Sequence, residues 1–303
     1  MNNTIHRRQF LQFGAVAAVA AAMAPHSAFS AAATPKRKLK KAIMYSTIGV
    51  KGTVLEKFTA MKAAGFEGVE PIGGMDRKEV IDALQATGLK AASVCCHTHW
   101  SKPLSDPNPE VRKIGYTGME LSLQDAKAYG AGSVLLVPGV AKNGVGYDDC
   151  FKRSVAEIKK LVPIAKDVGV KIAVENVWND FITKPEQAVD FMDAIDSKWV
   201  GWHFDIGNVG RYSPAETWIP LLGKRIVRLH IKEFNTKAME PGNPGKGFGF
   251  KLMEGDNNWP AIVAALDKVH YEGWGISEQP GSQAATVETA TDLAQRMDKI
   301  FAS

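Results

Sequence analysis

The sequence predicts a single (β/α)8 barrel, on three observations. A unit made of a short apolar run, a loop, an amphipathic stretch and a glycine recurs eight times from residue 42 onward. The runs have strand length and alternate with helical stretches, which specifies a parallel sheet. No linker separates the first half of the series from the second, which favours one closed barrel over an open doubly wound sheet. The 303 residues, 45% of them hydrophobic, supply a large core, and one such barrel usually takes up ~250 residues.

The eight strands are expected near residues 42–48, 68–72, 90–97, 133–138, 171–176, 200–206, 225–232 and 274–278. Helices fill the intervals. Val54, Phe58 and Met61 share one face of the first, Val80, Ala83 and Leu84 one face of the second, and Ile262, Ala265 and Leu266 repeat the spacing near the end. Gly65, Gly88, Gly130, Gly169 and Gly273 each follow an amphipathic stretch and are read as helix ends, where glycine adopts the left-handed conformation without steric penalty. The stretch Pro241 to Gly249 interrupts the seventh unit. It reads either as a disordered surface loop or as a lid, because it follows a strand on the side where barrels place their sites.

Residues 1–33 read as a targeting segment ahead of the fold: a polar start with Arg7-Arg8, an apolar stretch from Phe13 to Ala24, then Pro25 and small residues. The apolar stretch falls short of the ~20 residues that span a bilayer, so a removable signal is expected rather than an anchor. Residues 34–41 form a basic leader to the first strand, and the barrel is expected over 42–303. Seven of the 37 basic side chains lie in residues 1–41, and the first acidic residue is Glu56. The remainder therefore carries 30 basic against 32 acidic side chains and lacks the basic excess of a duplex-binding surface. Three cysteines, two of them adjacent, exclude a disulfide framework; Cys95 and Cys96 are expected to fill the core.

Polar residues at the carboxyl ends of barrel strands converge on one site, and each of the last four strands ends in one: Glu175, Asp205, His230 and Glu278. Each alone could be an ordinary ion-pair partner or a satisfied core histidine. Together, three carboxylates and one imidazole make an oxygen-rich set for one divalent cation, with Mn²⁺ first, Mg²⁺ or Co²⁺ as alternatives, and catalytic zinc left open.

This arrangement resembles the xylose isomerase-like barrel superfamily, in particular its sugar phosphate isomerase/epimerase group of tagatose epimerase-like, hydroxypyruvate isomerase-like and inosose dehydratase-like enzymes. The segments that carry the resemblance are Glu175-Asn176, His203 to Asn208, Leu229 to Glu233, Gly255 to Trp259 and Ser277-Glu278. The resemblance implies that Glu175, Asp205, His230 and Glu278 hold the metal, and that Glu175 and Glu278 also move the substrate proton. A cation stabilises the charge of an enediolate, and with a carboxylate on each face of that planar intermediate a proton can be taken from one carbon and returned to the same carbon inverted, or to its neighbour. Many relatives have histidine three residues after the metal-binding aspartate, whereas this chain has Asn208, which can hydrogen-bond a hydroxyl but cannot titrate. Apurinic endonucleases are more distant relatives, and their additional metal-binding histidines are missing here, so nucleic acid is not an expected partner.

His97, His99 and Trp100 follow the third strand; His97 is a candidate hydroxyl or proton partner, or else makes a structural hydrogen bond. Lys232 lies on the same side of its strand as His230, as a candidate for neutralising an oxyanion or as an ion-pair partner. His203 is expected behind the ligands, and Trp178 against a sugar face or in loop packing. His6 to Gln12 resembles the twin-arginine export signal, which implies transient contact with that export machinery and a periplasmic or exported enzyme. The expected function is a metal-dependent sugar isomerase or epimerase acting on a ketose or related polyhydroxylated carbonyl compound. The alternatives are a metal-dependent lyase or dehydratase acting on a keto-sugar, keto-glycoside or inosose, and a non-catalytic carbohydrate-binding barrel. The oligomeric state is left open, a homodimer included.

Overall fold

The computed structural model describes residues 37–142 and 144–303. The signal segment expected at residues 1–33, and the start of the basic leader, lie outside the described residues. The first half alternates β1 (Leu39–Met44), α1 (Val54–Ala63), β2 (Gly68–Glu70), α2 (Arg77–Thr87), β3 (Lys90–Ala91), β4 (Val94–Cys95), α3 (Pro109–Tyr129), β5 (Ser133–Leu136) and α4 (Tyr147–Val168). The second half continues with β6 (Lys171–Glu175), α5 (Pro185–Ile195), β7 (Val200–Asp205), α6 (Ile206–Val209), α7 (Ala215–Leu222), β8 (Ile226–Ile231), α8 (Trp259–Lys268), β9 (Gly273–Ser277) and α9 (Val287–Ala302).

The pairings among these strands are all parallel, and the sheet order is β3-β2-β1-β9-β8-β7-β6-β5-β4. The first and last strands are thus hydrogen-bonded neighbours, as a barrel requires. The seam lies in the third position, where the expected strand over 90–97 is split into β3 and β4. β3 pairs with β2 and β4 with β5. The Cys95 N–H donates to the Pro71 carbonyl and the Gly73 N–H to the Cys95 carbonyl, both at 2.8 Å, so the ring closes across the break. β1 begins at Leu39, three residues before the expected start, because Lys40 and Lys41 pair in register with Trp274 and Gly275 of β9. The basic residues beside it face acids: Arg37 reaches Asp267 at 2.9 Å and Lys41 reaches Asp298 at 2.7 Å.

The helices bury the faces that their spacing predicts, including Phe58 and Met61 of α1, Val80 of α2 and Ile262 of α8. Gly88, Gly130 and Gly169 cap α2, α3 and α4 with positive φ. Gly273 does not cap a helix, because α8 has already ended at Lys268; it opens β9. Among the described residues, no helix is long and apolar enough to cross a membrane.

The stretch over 241–249 is folded. It contains a 3-10 turn, Pro244–Gly249, and the Asn235 N–H donates to the Gly247 carbonyl at 3.0 Å. Phe248 packs on Trp178 and Phe234, each at 4.8 Å between ring centroids. A Cβ at Gly247 would meet the Phe234 ring at 2.5 Å and the Asn235 carbonyl at 2.8 Å, so the close approach of this turn to the barrel requires glycine.

Candidate metal centre and substrate pocket

Glu175 and Asp205 are the last residues of β6 and β7, His230 is the penultimate residue of β8, and Glu278 directly follows β9. The register pairs Asp205 with His230, so the parallel sheet alone sets two of these side chains side by side. One donor atom from each of the four residues falls within 4.8 Å of the others. His230 Nδ1 lies 2.8 Å from Glu175 Oε1, 3.2 Å from Glu278 Oε2 and 3.7 Å from Asp205 Oδ2. Asp205 Oδ1 accepts the Asn208 N–H at the start of α6, whereas the buried Oδ2 has no hydrogen-bond partner. A carboxylate oxygen stripped of water needs a cation or a donor. That orphaned oxygen and the oxygen-rich donor set fit a divalent ion held by Glu175, Asp205, His230 and Glu278.

Glu70, which sequence reasoning missed, completes the arrangement. It ends β2, is fully buried, and its Oε2 faces His230 Nε2 at 3.0 Å. With Nε2–H held by Glu70, the Nδ1 lone pair is turned toward the other three carboxylates, the tautomer that a metal-binding imidazole needs. The signal was available: Gly68-Val69-Glu70 ends in a carboxylate just as β6 and β7 do. His203 is buried beside His230, with its ring centroid 4.2 Å from that of His230 and its Nδ1 4.0 Å from Glu70 Oε1. Burial holds the His203 imidazole well below its usual pKa, with help from His230 and Arg228.

The protein groups polarise the two glutamates in opposite directions. Burial pushes Glu175 up to about 8, against the pull of His230. Burial acts on Glu278 in the same sense, but the Lys232 ammonium and His230 override it and hold that carboxyl well below the usual range. Lys232 Nζ lies 2.9 Å from Glu278 Oε2, 3.6 Å from Asp205 Oδ2 and 3.3 Å from Asn208 Oδ1. Burial pulls His230 down, yet the carboxylates of Glu175, Glu70 and Glu278 outweigh it and raise the imidazole well above its usual value.

Above this cluster is a cavity of about 190 Å³ whose walls include Glu175, Glu278, Asn208, Lys232, Cys95, His99, Trp100, Trp178 and Phe248. Asn208 and Lys232 are therefore brought to the site. His97 is not: it is exposed, packs against Gly74 and lines a separate groove with Glu110 and Lys113. His99 takes the place expected of His97. Its Nδ1 accepts the Val137 N–H at 3.1 Å, which leaves the ring proton on Nε2, and burial pushes its pKa down to about 3. The loops above the site are braced by residues that follow β7 and β8. Asn257 donates to the Lys232 carbonyl at 2.9 Å, Trp259 donates to buried Glu233 at 2.9 Å, and Trp178 donates to the Asn208 carbonyl at 2.8 Å.

Comparison with known proteins agrees with this architecture. A D-tagatose 3-epimerase-like protein superposes with a TM-score of 0.72 at 18% identity, covering 86% of this chain and 98% of the other. The IolI protein, solved with a zinc atom, gives a TM-score of 0.71 at 18% identity over 86% of this chain and 98% of its own. The L-ribulose-5-phosphate 3-epimerase UlaE of Salmonella paratyphi C is 24% identical over 266 residues, 78% of this chain and 87% of that enzyme. An uncharacterized protein of Methanocaldococcus jannaschii is 26% identical over 182 residues, which span 56% of this chain and 60% of that protein. Residues 4–24 match the twin-arginine translocation pathway signal sequence. Residues 58–300 match the xylose isomerase-like TIM barrel model, and the chain belongs to that family.

Proposed function

We propose that the barrel is a divalent-cation-dependent carbohydrate isomerase or epimerase that works through an enediolate on a ketose or a related polyhydroxylated carbonyl compound. The observation that carries this reading is the convergence of Glu175, Asp205, His230 and Glu278 on one point, with both glutamates also forming walls of the cavity above it. The epimerase relative and structural neighbours support the same class.

Glu175, Asp205, His230 and Glu278 would hold a divalent cation, Mn²⁺ by preference, which when bound would supply Lewis-acid stabilisation of negative charge on the substrate oxygens. Glu175 and Glu278 work on opposite faces of the carbon beside the carbonyl: the ionised carboxylate removes its proton and becomes protonated, and the other, protonated carboxyl delivers its own proton and becomes ionised. Lys232 keeps the Glu278 carboxylate charged and oriented, and with Asn208 it offers hydrogen-bond donors to substrate hydroxyls. His99 Nε2–H is a further neutral donor on the cavity wall. Trp178 and Phe248 cover the pocket and limit water around the intermediate.

Turnover of a panel of ketoses in D₂O tests the reaction class. Deuterium on the carbon beside the carbonyl, in a product of unchanged composition, is the expected result. A product that has lost water or an aglycone makes the protein a lyase, and the absence of both exchange and product removes the enzymatic reading. The signal sequence supports export of the folded, metal-loaded enzyme to the periplasm. Replacing Arg7 and Arg8 by lysine is expected to leave the precursor in the cytoplasm, and fractionation of cells that still export the variant would contradict this route.

A further inference from the structure

The cavity above the metal centre is small. At about 190 Å³ it lies below the ~300–1,000 Å³ usual for small-molecule sites. A second cavity of about 330 Å³ adjoins it, walled by Ser101, Ser105, Asp106, Val140, Lys142 and Val145, and Trp100 belongs to the walls of both. The two are also tied through the backbone, because Lys142 Nζ donates at 3.0 Å to the carbonyl of Trp178, a wall of the inner cavity.

Trp100 is 52% exposed, although it sits beside the buried His99, whose ring meets it edge-on at 6.0 Å between centroids. An indole held half in solvent at the junction of two cavities presents an apolar face for something to stack on. The outer walls add hydroxyls and a balanced pair of charges. Asp106 stands on the same wall as Lys142, and Lys142 also faces Asp180 at 3.7 Å. A phosphate would meet as much negative as positive charge there, whereas a neutral polyol has an apolar ring face for the indole and hydroxyl edges for Ser101, Asp106 and Lys142.

From this geometry we infer that the substrate is a two-ring glycoside. The ring that carries the carbonyl occupies the inner cavity over Glu175 and Glu278, and the second sugar ring lies in the outer cavity against Trp100. The inference rests on the isomerase or epimerase reading for what happens to the inner ring, but the outer subsite is a binding claim that stands or falls separately.

The test is calorimetric titration of the Mn²⁺-loaded mature protein with maltose, cellobiose, lactose and trehalose, their component hexoses, and D-fructose with its 6-phosphate. At least one disaccharide is expected to bind about tenfold or more tightly than its component hexoses, and the phosphate no more tightly than free fructose. The ratio of disaccharide to hexose affinity should collapse toward one in Trp100→Ala and in Val145→Trp, which fills the outer cavity, and should largely return in Trp100→Phe. Thermal melts of each variant establish that it is folded. Disaccharides that bind no better than hexoses, a ratio insensitive to both folded variants, or preferential binding of the phosphate would overturn the inference. Deuterium wash-in from D₂O separates the two claims: exchange into ketoses without a disaccharide preference refutes only the subsite, whereas a Trp100-dependent disaccharide preference without exchange into any keto-sugar refutes only the reaction.

Discussion

At the scale of single residues, the sequence exposes the residues proposed to hold a metal because their types violate their surroundings. A carboxylate or imidazole at the end of a buried apolar strand needs a partner, and four successive strands repeat the violation at Glu175, Asp205, His230 and Glu278. Glu70 commits the same violation and is as deeply buried, but it belongs to the first half of the barrel and joins the others only through ring closure. Its role yields a prediction. Glu70→Ala should lower divalent-metal affinity ~10- to 100-fold, as expected when the group orienting a ligating histidine is lost, while Glu70→Gln keeps an acceptor for Nε2–H and loses less. Chelator competition on folded variants measures this; equal affinities in all three proteins would remove Glu70 from the metal centre.

His99 yields a second prediction, on stability. Its folded pKa of about 3 lies below the ordinary value of 6.5, so between those limits the unfolded chain binds the extra proton. The stability from the neutral ring is complete above about pH 6.5 and is lost as the pH falls toward 3, by up to about 1.4 kcal/mol per pH unit. In His99→Gln, the dependence of unfolding free energy on pH between about 4 and 6 should weaken by about one proton. Urea unfolding across that range reads the slope, and an unchanged slope would show that His99 titrates freely in the folded protein.

At the scale of elements, periodicity locates strands and helices well where one face is uniformly apolar. It fails where the backbone departs from its period. The third strand reads as one run from residue 90 to 97, but it breaks after Ala91 so that each half can pair with a different neighbour. Beyond the break the Thr98 carbonyl accepts the Lys102 N–H in a tight turn, so strand alternation no longer says which side chain faces the cavity. His99, rather than His97, enters the pocket for that reason. The glycine-rich stretch after β8 illustrates the opposite problem. Its composition resembles disorder, and its order comes from Phe248 seated on Trp178 and Phe234, both distant in sequence or hidden in the preceding loop. The Gly255 to Trp259 segment was legible as part of a family pattern. Its physical work, bracing the end of β8 through Glu233 and the Lys232 carbonyl, becomes visible only in three dimensions.

At the scale of the whole molecule, closure of the ring turns scattered positions into one site. β1 lies between β2 and β9, so Glu70 near one end of the barrel sequence and Glu278 near the other both reach His230. The ion pairs of Arg37 and Lys41 with the last two helices decorate that junction, but such surface pairs contribute at most ~1 kcal/mol each, and the strand pairing itself holds it. The electrostatics are also collective. Four acids and two imidazoles share a small buried volume with the ammonium of Lys232, and uptake of the proposed cation would displace protons from that cluster. Affinity for Mn²⁺ should therefore rise with pH through the neutral range.

The central claim is that Glu175 and Glu278 carry protons as well as a metal, and turnover of Glu175→Gln and Glu278→Gln at saturating Mn²⁺ tests it most directly. Metal content is verified for each variant by elemental analysis. If the glutamates move protons, activity stays at least ~10²-fold below that of the unmodified enzyme when the metal site is full, because an amide cannot act as a base and acid/base steps contribute ~10²–10⁴. Full activity in both metal-saturated variants would contradict the account and reduce the two residues to ligands.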